Sequence, residues 1–425
     1  MAFRIALSGL NAANSDLNIT GNNIANASTT GFKQSRAEFA DVFATSGGGV
    51  SANAIGGGVR LSRVAQEFSQ GNVEFTNNNM DLAINGQGFF VLSDNGSKAY
   101  TRAGAFSVDR NGYVVNSSGE RLQVYSPTDP TGTSFNTGAL TDLQVSTSQG
   151  APNATSSVSS QINLNSADSI IPATTAFNPN DTSTYNYSTS FSMYDSLGTS
   201  HTATMYFKKT GANQWDAYAY AGDGSGTPKM INLGSTTSNP PGAASLQFNS
   251  DGTLNLTASG GANGKFTGNF QPVNGATNPQ PVSFDFSNLT QYGSGDSVSA
   301  INQDGYSTGR LTGIDIGSSG VVSARFTNGQ SRALGKVALA NFANPQGLRQ
   351  LGNTTWASSY DSGDPINGQA GSGNFGNIQS GALEASNVDI AAQLINLITA
   401  QRDFQANAQA ITTSNNITQT IIQMR

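Results

Sequence analysis

The 425-residue sequence predicts a mainly β protein with terminal α-helices, built as two nested β domains plus an antiparallel helical coiled-coil domain formed by the N- and C-termini. Three observations carry this expectation. Apolar residues recur every seven positions at both ends, and they alternate with period two through most of the interior. The style of residues 71 to 146 also resumes after residue 301, which nests one β domain within the other.

At the N-terminus, Phe3, Leu10, Leu17 and Ile24 occupy one heptad position, and Ala6, Ala13, Thr20 and Ala27 follow three residues later. Residues 1–32 are therefore read as a helix of an inner assembly domain. The C-terminal segment 380–425 repeats the pattern, with Ile390, Leu397, Phe404 and Ile411 in one column and Leu394, Gln401, Ala408, Asn415 and Ile422 in the other. The expected seam is thus Phe3, Ala6, Leu10, Ala13, Leu17 and Ile24 against Ile390, Leu394, Leu397, Phe404, Ala408 and Ile411. Both helices are almost uncharged: only Asp16 lies between Arg4 and Lys33, and only Arg402 and Asp403 between Asp389 and Arg425. Their outer faces carry amides and hydroxyls, which suits either a polar hairpin packed on one domain or helices whose outer faces also meet protein. Energetics favour the second. Four large seam residues contribute about 6 to 12 kcal/mol when buried, whereas ordering the backbone of such a segment costs about 25 to 50 kcal/mol, only partly offset by helical hydrogen bonds. Such a helix orders against several neighbours.

Residues 33–70, with Gly47-Gly48-Gly49 and Gly56-Gly57-Gly58, read as a flexible connector holding one short strand at Val59, Leu61 and Val64. Residues 71–146 form the first part of one β domain: Leu82 and Ile84 alternate, Phe89 to Leu92 is a buried run, and Phe106 to Val108 turns through Asp109 to Gly112 into Tyr113 to Val115. The same hairpin spacing occurs in Leu246/Phe248/Gly252/Leu254 and Ile314/Ile316/Gly320/Val322, where a four-residue turn ends in a glycine that accepts positive φ. Residues 147–301, with Tyr185, Tyr187, Thr189, Phe191 and Met193 followed by Thr202, Thr204 and Tyr206, read as an inserted outer β domain. Residues 302–379 complete the first β domain and its return connector, with Asn328-Gly329 joining Val321–Phe326 to Val337–Leu339.

The chemistry that the sequence excludes is as informative. Charged residues make up 11%, the net charge is −6 and no basic run exists, so neither nucleic acid nor an anionic membrane is an expected partner. Cysteine is absent and His201 is the one histidine, which removes thiol chemistry and multi-histidine metal sites. Gly264-Lys265 is followed by Phe266, so no phosphate loop forms, and Gly86-x-Gly88 lacks a third glycine. Asp109-Arg110-Asn111-Gly112 reads as a turn rather than a calcium loop, and His201 as a half-exposed strand residue. No catalytic residue, metal or cofactor is expected. No secretory signal or membrane-spanning run is expected either, although a chain poor in charge, free of Cys and rich in Gly, Asn, Ser and Thr has the composition of a bacterial surface polymer.

Asn22-Asn23-Ile24-Ala25-Asn26 followed by Thr30-Gly31-Phe32-Lys33 resembles the N-terminal signature of the bacterial flagellar rod and hook axial protein family. Two more stretches agree: Gln70-Gly71 through Asp81-Leu82-Ala83-Ile84 to Gly86-x-Gly88-Phe89-Phe90, and Ser380-Gly381-Ala382-Leu383-Glu384-Ala385-Ser386-Asn387-Val388 with Gln401-Arg402 and Gln405-Ala406-Asn407 beyond. Length and the inserted segment point to the hook-type members. The resemblance implies a structural subunit, not an enzyme, of an extracellular polymer at the basal body and hook, curved and flexible, that acts as a universal joint. It implies contacts with further copies of the chain, a distal rod protein, a hook cap protein and a hook–filament junction protein. It also implies export through the flagellar type III apparatus without a cleaved signal peptide, for which Phe3 and Leu7 resemble the short hydrophobic signal. A distal-rod-type subunit and a secreted β-rich adhesin or enzyme are the competing readings.

Overall fold

Each end of the chain forms one long helix, in a computed structural model that describes residues 2–42, 56–129, 131–145 and 149–423. Helix α1 is Ala2–Ala25 and helix α2 is Ile390–Gln423. Neither contains proline, and the Asp389 carboxylate starts α2 by accepting the backbone N–H of Ala391 at 2.9 Å and of Ala392 at 3.2 Å. The Asn22 carbonyl closes α1 by accepting both the backbone N–H and the side-chain amide of Asn26. The chain then reverses through Gly31, whose φ of +69° and close approach to the Ala103 backbone both exclude a side chain.

The segment expected as a connector with one strand is instead a two-stranded antiparallel hairpin, Ser35–Asp41 against Val59–Gln66. Alternating charges on its surface account for the second strand: Glu38 accepts Arg63 at 2.6 Å and Arg36 at 3.2 Å. The expected glycine run Gly47-Gly48-Gly49 lies outside the described residues.

The chain divides into two compact units, Met1–Thr147 with Thr312–Arg325 and Ser331–Arg425, and Ser148–Leu311 with Phe326–Gln330. In the first, an antiparallel sheet runs from Leu311–Ile316 through Val321–Phe326, Ser331–Asn341, Arg121–Pro127, Phe89–Asp94, Ser97–Thr101 and Thr355–Ala357 to Arg349–Gly352. Its main apolar cluster gathers Phe89, Val91, Tyr100, Tyr125, Ala338, Ala340, Phe342 and Trp356, with Phe68 edge-on to both Phe89 and Trp356.

The second unit packs two five-stranded sheets face to face. One is built on Ser157–Asn165, which pairs in parallel with Gln280–Asp285 and Thr290–Tyr292 and antiparallel with Ser297–Gln303. The other is an antiparallel run, Tyr187–Tyr194, Ser200–Gly211, Gln214–Gly222 and Pro228–Ile231, with Ala244–Gln247 alongside. Strict alternation supplies the core, as in Lys265–Phe270, where Phe266, Gly268 and Phe270 point inward. The expected border at 301 falls inside the strand Ser297–Gln303, whose ladder to Ser157–Asn165 keeps the residues up to Leu311 with this unit.

All three repeated hairpin turns share one hydrogen-bond scheme. Gly112, Gly252 and Gly320 donate to the carbonyls of Asp109, Asn249 and Gly317, and those same three residues donate to Tyr113, Thr253 and Val321. Each glycine has φ near +80°, the left-handed residue that closes such a loop.

Candidate assembly interface

Side-chain contacts set the register of the two helices. Asn23 donates its amide to Gln393 Oε1 at 3.2 Å, and a Cβ placed on Gly9 would collide with the Asn407 side chain. Fourteen residues earlier on α1 therefore meets fourteen residues later on α2, so the helices run antiparallel. On α1 the buried positions are Ala6, Ala13, Thr20 and Asn23. With Gly9 and Asp16 interleaved they make a seam of alternating three- and four-residue steps. On α2 the matching residues are Gln393, Leu397, Ala400, Phe404, Asn407, Ile411 and Ser414, of which Gln393 and Ala400 are buried and the rest half-buried.

This seam is rotated from the one expected. Ala6 and Ala13 face α2 as expected, but their partner column is Gly9, Asp16 and Asn23. Leu10, Leu17 and Ile24 sit half-buried on the flank, and Phe3 is 43% exposed. On α2, Leu397, Phe404 and Ile411 lie in the seam, whereas Leu394 and Ile390 are about half exposed and Ala408 half-buried beside it. Heptad spacing alone leaves two adjacent stripes equivalent, and small residues win here because they let the backbones approach. The hairpin also packs on α1, with Ser8 Oγ accepting the Val59 N–H at 3.2 Å and Asn23 bonding both the N–H and the carbonyl of Ser35. It fixes the rotation.

Amid the exposed amides and hydroxyls, two groups of apolar residues remain outside. Ile395 is 65% exposed and Ile398 56%, next to Leu394, and Ile417, Ile421 and Ile422 form a second exposed group near the end of α2. Phe3 and Leu7, the expected export signal, are exposed at the start of α1. An isolated chain gains nothing from displaying such residues, so the faces are suited to other protein surfaces.

The signature residues converge below the helices. Glu384, fully buried, accepts Lys33 Nζ at 2.5 Å on one oxygen and Arg102 at 3.1 Å on the other. The Gly71 N–H also binds the first oxygen at 2.9 Å, Lys33 reaches the Ser69 carbonyl at 2.6 Å, and Arg102 reaches the Gly86 carbonyl at 2.8 Å. Burial pulls both Lys33 and Arg102 below their ordinary values, and the adjacent Glu384 charge works against that fall. Around this cluster the Gly31 N–H donates to the Glu384 carbonyl, the Phe32 carbonyl accepts the Asn387 N–H, and the Asn387 side chain takes the Gln34 N–H at 2.8 Å. Asn22 and Asn26 shape the end of α1, Ala25 is its exposed last residue, and Thr30 is half-buried in the turn. The three signature stretches are thus one structural joint between the helices and the first β unit. Lys33 and Glu384 were visible in those motifs without a role. Arg102 carried no motif, and its one signal was a charge in a chain that has few.

Among the described residues no group of three or more metal-ligating side chains occurs. His201 is buried rather than half exposed, because its ring bridges the Gly222 carbonyl at 2.7 Å and Asp195 Oδ2 at 2.9 Å. No helix among the described residues is long and apolar enough to cross a membrane.

The chain is similar to known proteins along its length. Residues 3–33 match the family described as "Flagella basal body rod protein", residues 83–165 "Flagellar hook protein FlgE/F/G D1 domain", residues 163–306 "Flagellar basal body protein FlaE D2 domain" and residues 379–424 "Flagellar basal body rod FlgEFG protein C-terminal". The chain is 40% identical over 427 residues to the flagellar hook protein FlgE of Escherichia coli (strain K12), with 100% of each covered. It is 32% identical over 441 residues to that of Borreliella burgdorferi, covering 99% of this chain and 98% of the relative. The crystal structure of Helicobacter pylori flagellar hook protein FlgE2 shares the fold with a TM-score of 0.55 at 16% identity, over 73% of this chain and 100% of that one.

Proposed function

This chain belongs to the flagellar hook protein family and is a structural subunit of the bacterial flagellar hook, and from that premise we propose that its terminal helices assemble copies into a curved, flexible tube that carries torque from rod to filament as a universal joint. The observation that carries the reading is the pair of exposed apolar faces on α2, Leu394/Ile395/Ile398 and Ile417/Ile421/Ile422, beside a seam already satisfied within the chain. Helices of neighbouring copies cover these faces and complete a coiled-coil inner domain, with Phe3, Ala6, Leu10, Ala13, Leu17 and Ile24 and with Ile390, Leu394, Leu397, Phe404, Ala408 and Ile411 shared between contacts inside and between copies. The neutral amide and hydroxyl surface of the helices suits the wall of a channel through which unfolded chains pass. In this reading 1–32 and 380–425 are the assembly segments, 33–70 with its hairpin links them to the first β domain of 71–146 and 312–379, and the inserted domain extends from 147 past the expected border at 301 to 311.

The subunit lies in the flagellum outside the cell. It meets a distal rod protein at one end of the tube and a hook cap protein, then a hook–filament junction protein, at the other. Export runs through the flagellar type III apparatus with Phe3 and Leu7 in its signal.

The test is negative-stain electron microscopy of the full chain beside a chain lacking residues 1–25 and 390–425, which spares Lys33 and Glu384. Curved tubes from the full chain alone are the expected result. Tubes from the truncated chain, or straight tubes from the full one, overturn it.

A further inference from the structure

Asp16 stands where a carboxylate is costly. It occupies the α1 seam between Gly9 and Asn23, half-buried, in a helix whose other charge is Arg4, three turns away. On α2 the register sets Asp403 opposite Ala13, one turn from Asp16, with Arg402 as the other charged residue of that helix. The hairpin packed along α1 carries Arg36, Glu38, Asp41, Arg60, Arg63 and Glu67. Of these, Glu38 is held by Arg63 and Arg36, and Glu67 by Arg36. Among the described residues no cation comes within ion-pair distance of Asp16 or Asp403. Burial in the seam, with the Asp403 charge adding to it, raises the Asp16 carboxyl above its ordinary value.

We propose that Asp16 is a latch in the helix pair: ionised, it loosens the contact between α1 and α2, and neutralising it closes them. The sign follows from linkage. A carboxyl whose value is raised by folding adds stability as pH falls through that raised value, and the contribution is lost as pH rises above it. At neutral pH the pair is therefore weaker than its packing allows, and it relies on extra cover over Leu394, Ile395 and Ile398. The latch concerns pairing within one chain and does not rest on the hook reading. Its consequence does: termini that pair weakly before neighbours arrive pack late, during assembly.

The test is amide hydrogen exchange across α1 in the full-length chain kept monomeric, with rates corrected for intrinsic pH dependence. Asp16→Asn at pH 7 is expected to slow exchange about three- to tenfold, Asp403→Asn to slow it by a smaller factor, and the wild type to approach Asp16→Asn as pH is lowered from about 7 through the raised carboxyl value toward the ordinary one of 3.8. Unchanged or faster exchange in both variants, or a wild type that loses protection over that range, overturns the latch. Because the readout needs no polymer, failed tube assembly leaves it intact.

Discussion

Lys33 and Glu384 lie 351 residues apart in sequence and meet at 2.5 Å with neither side chain touching solvent. Arg102 binds the other carboxylate oxygen, so two cations share one buried anion. The contributions are therefore unequal. Glu384→Ala strands two buried positive charges and is expected to cost about 3 to 5 kcal/mol. Lys33→Met leaves Glu384 paired to Arg102, and the Ser69 carbonyl keeps the Asn387 amide at 3.3 Å, so the loss is about 1 to 3 kcal/mol. Urea unfolding followed by Trp356 fluorescence in a Trp215→Phe background measures both, and a larger loss in Lys33→Met would contradict the arrangement.

Gly9 lets the two helices touch, since its missing side chain makes room for Asn407, which also donates to the Asp403 carbonyl at 2.8 Å. Leucine is a better helix former than glycine by up to about 1 kcal/mol, so propensity alone would favour Gly9→Leu. The seam predicts the reverse: Gly9→Leu lowers helical ellipticity, whereas Asn14→Leu on the exposed face does not. Equal ellipticity in the two variants would remove Gly9 from the contact.

In the second unit, burial pushes the Asp195 carboxyl up, but hydrogen bonds from His201, Asn274 and the backbone N–H groups of Thr199 and Leu197 outweigh it and bring it down to about 2. A depressed carboxyl contributes stability above its ordinary value, near 3.8, that disappears as pH falls toward 2. The unit is expected to lose about 2 kcal/mol over that interval. Trp215 fluorescence in a Trp356→Phe background follows it, and Asp195→Asn should flatten the dependence.

Asn353 and Thr354 form the two-residue turn between Arg349–Gly352 and Thr355–Ala357, with φ of +49° and +56°. Positive φ at a β-branched residue is strained. Thr354→Gly keeps the carbonyl that accepts Thr101 Oγ1 at 2.8 Å, and is expected to raise stability by about 0.5 to 1 kcal/mol. A lower urea midpoint would show that the threonine side chain holds the turn.

The sequence by itself determined the local patterns: heptads at the ends, period two between them, and the repeated turns ending in Gly112, Gly252 and Gly320. These depend on residues a few positions apart, so composition and spacing suffice. The family signature was legible as well, as a string of residues without a physical reason. Tertiary structure supplied the reason and decided the rest. The helix stripe that faces its partner was chosen by close packing at Gly9 and by the hairpin against Asn23, since both stripes have the same period. His201 went inside because Asp195 and Gly222 offered its ring two acceptors, and Lys33, Arg102 and Glu384 became one cluster because strand pairing brought three distant segments together. Burial and charge pairing are set by neighbours in space, and the linear pattern does not carry them.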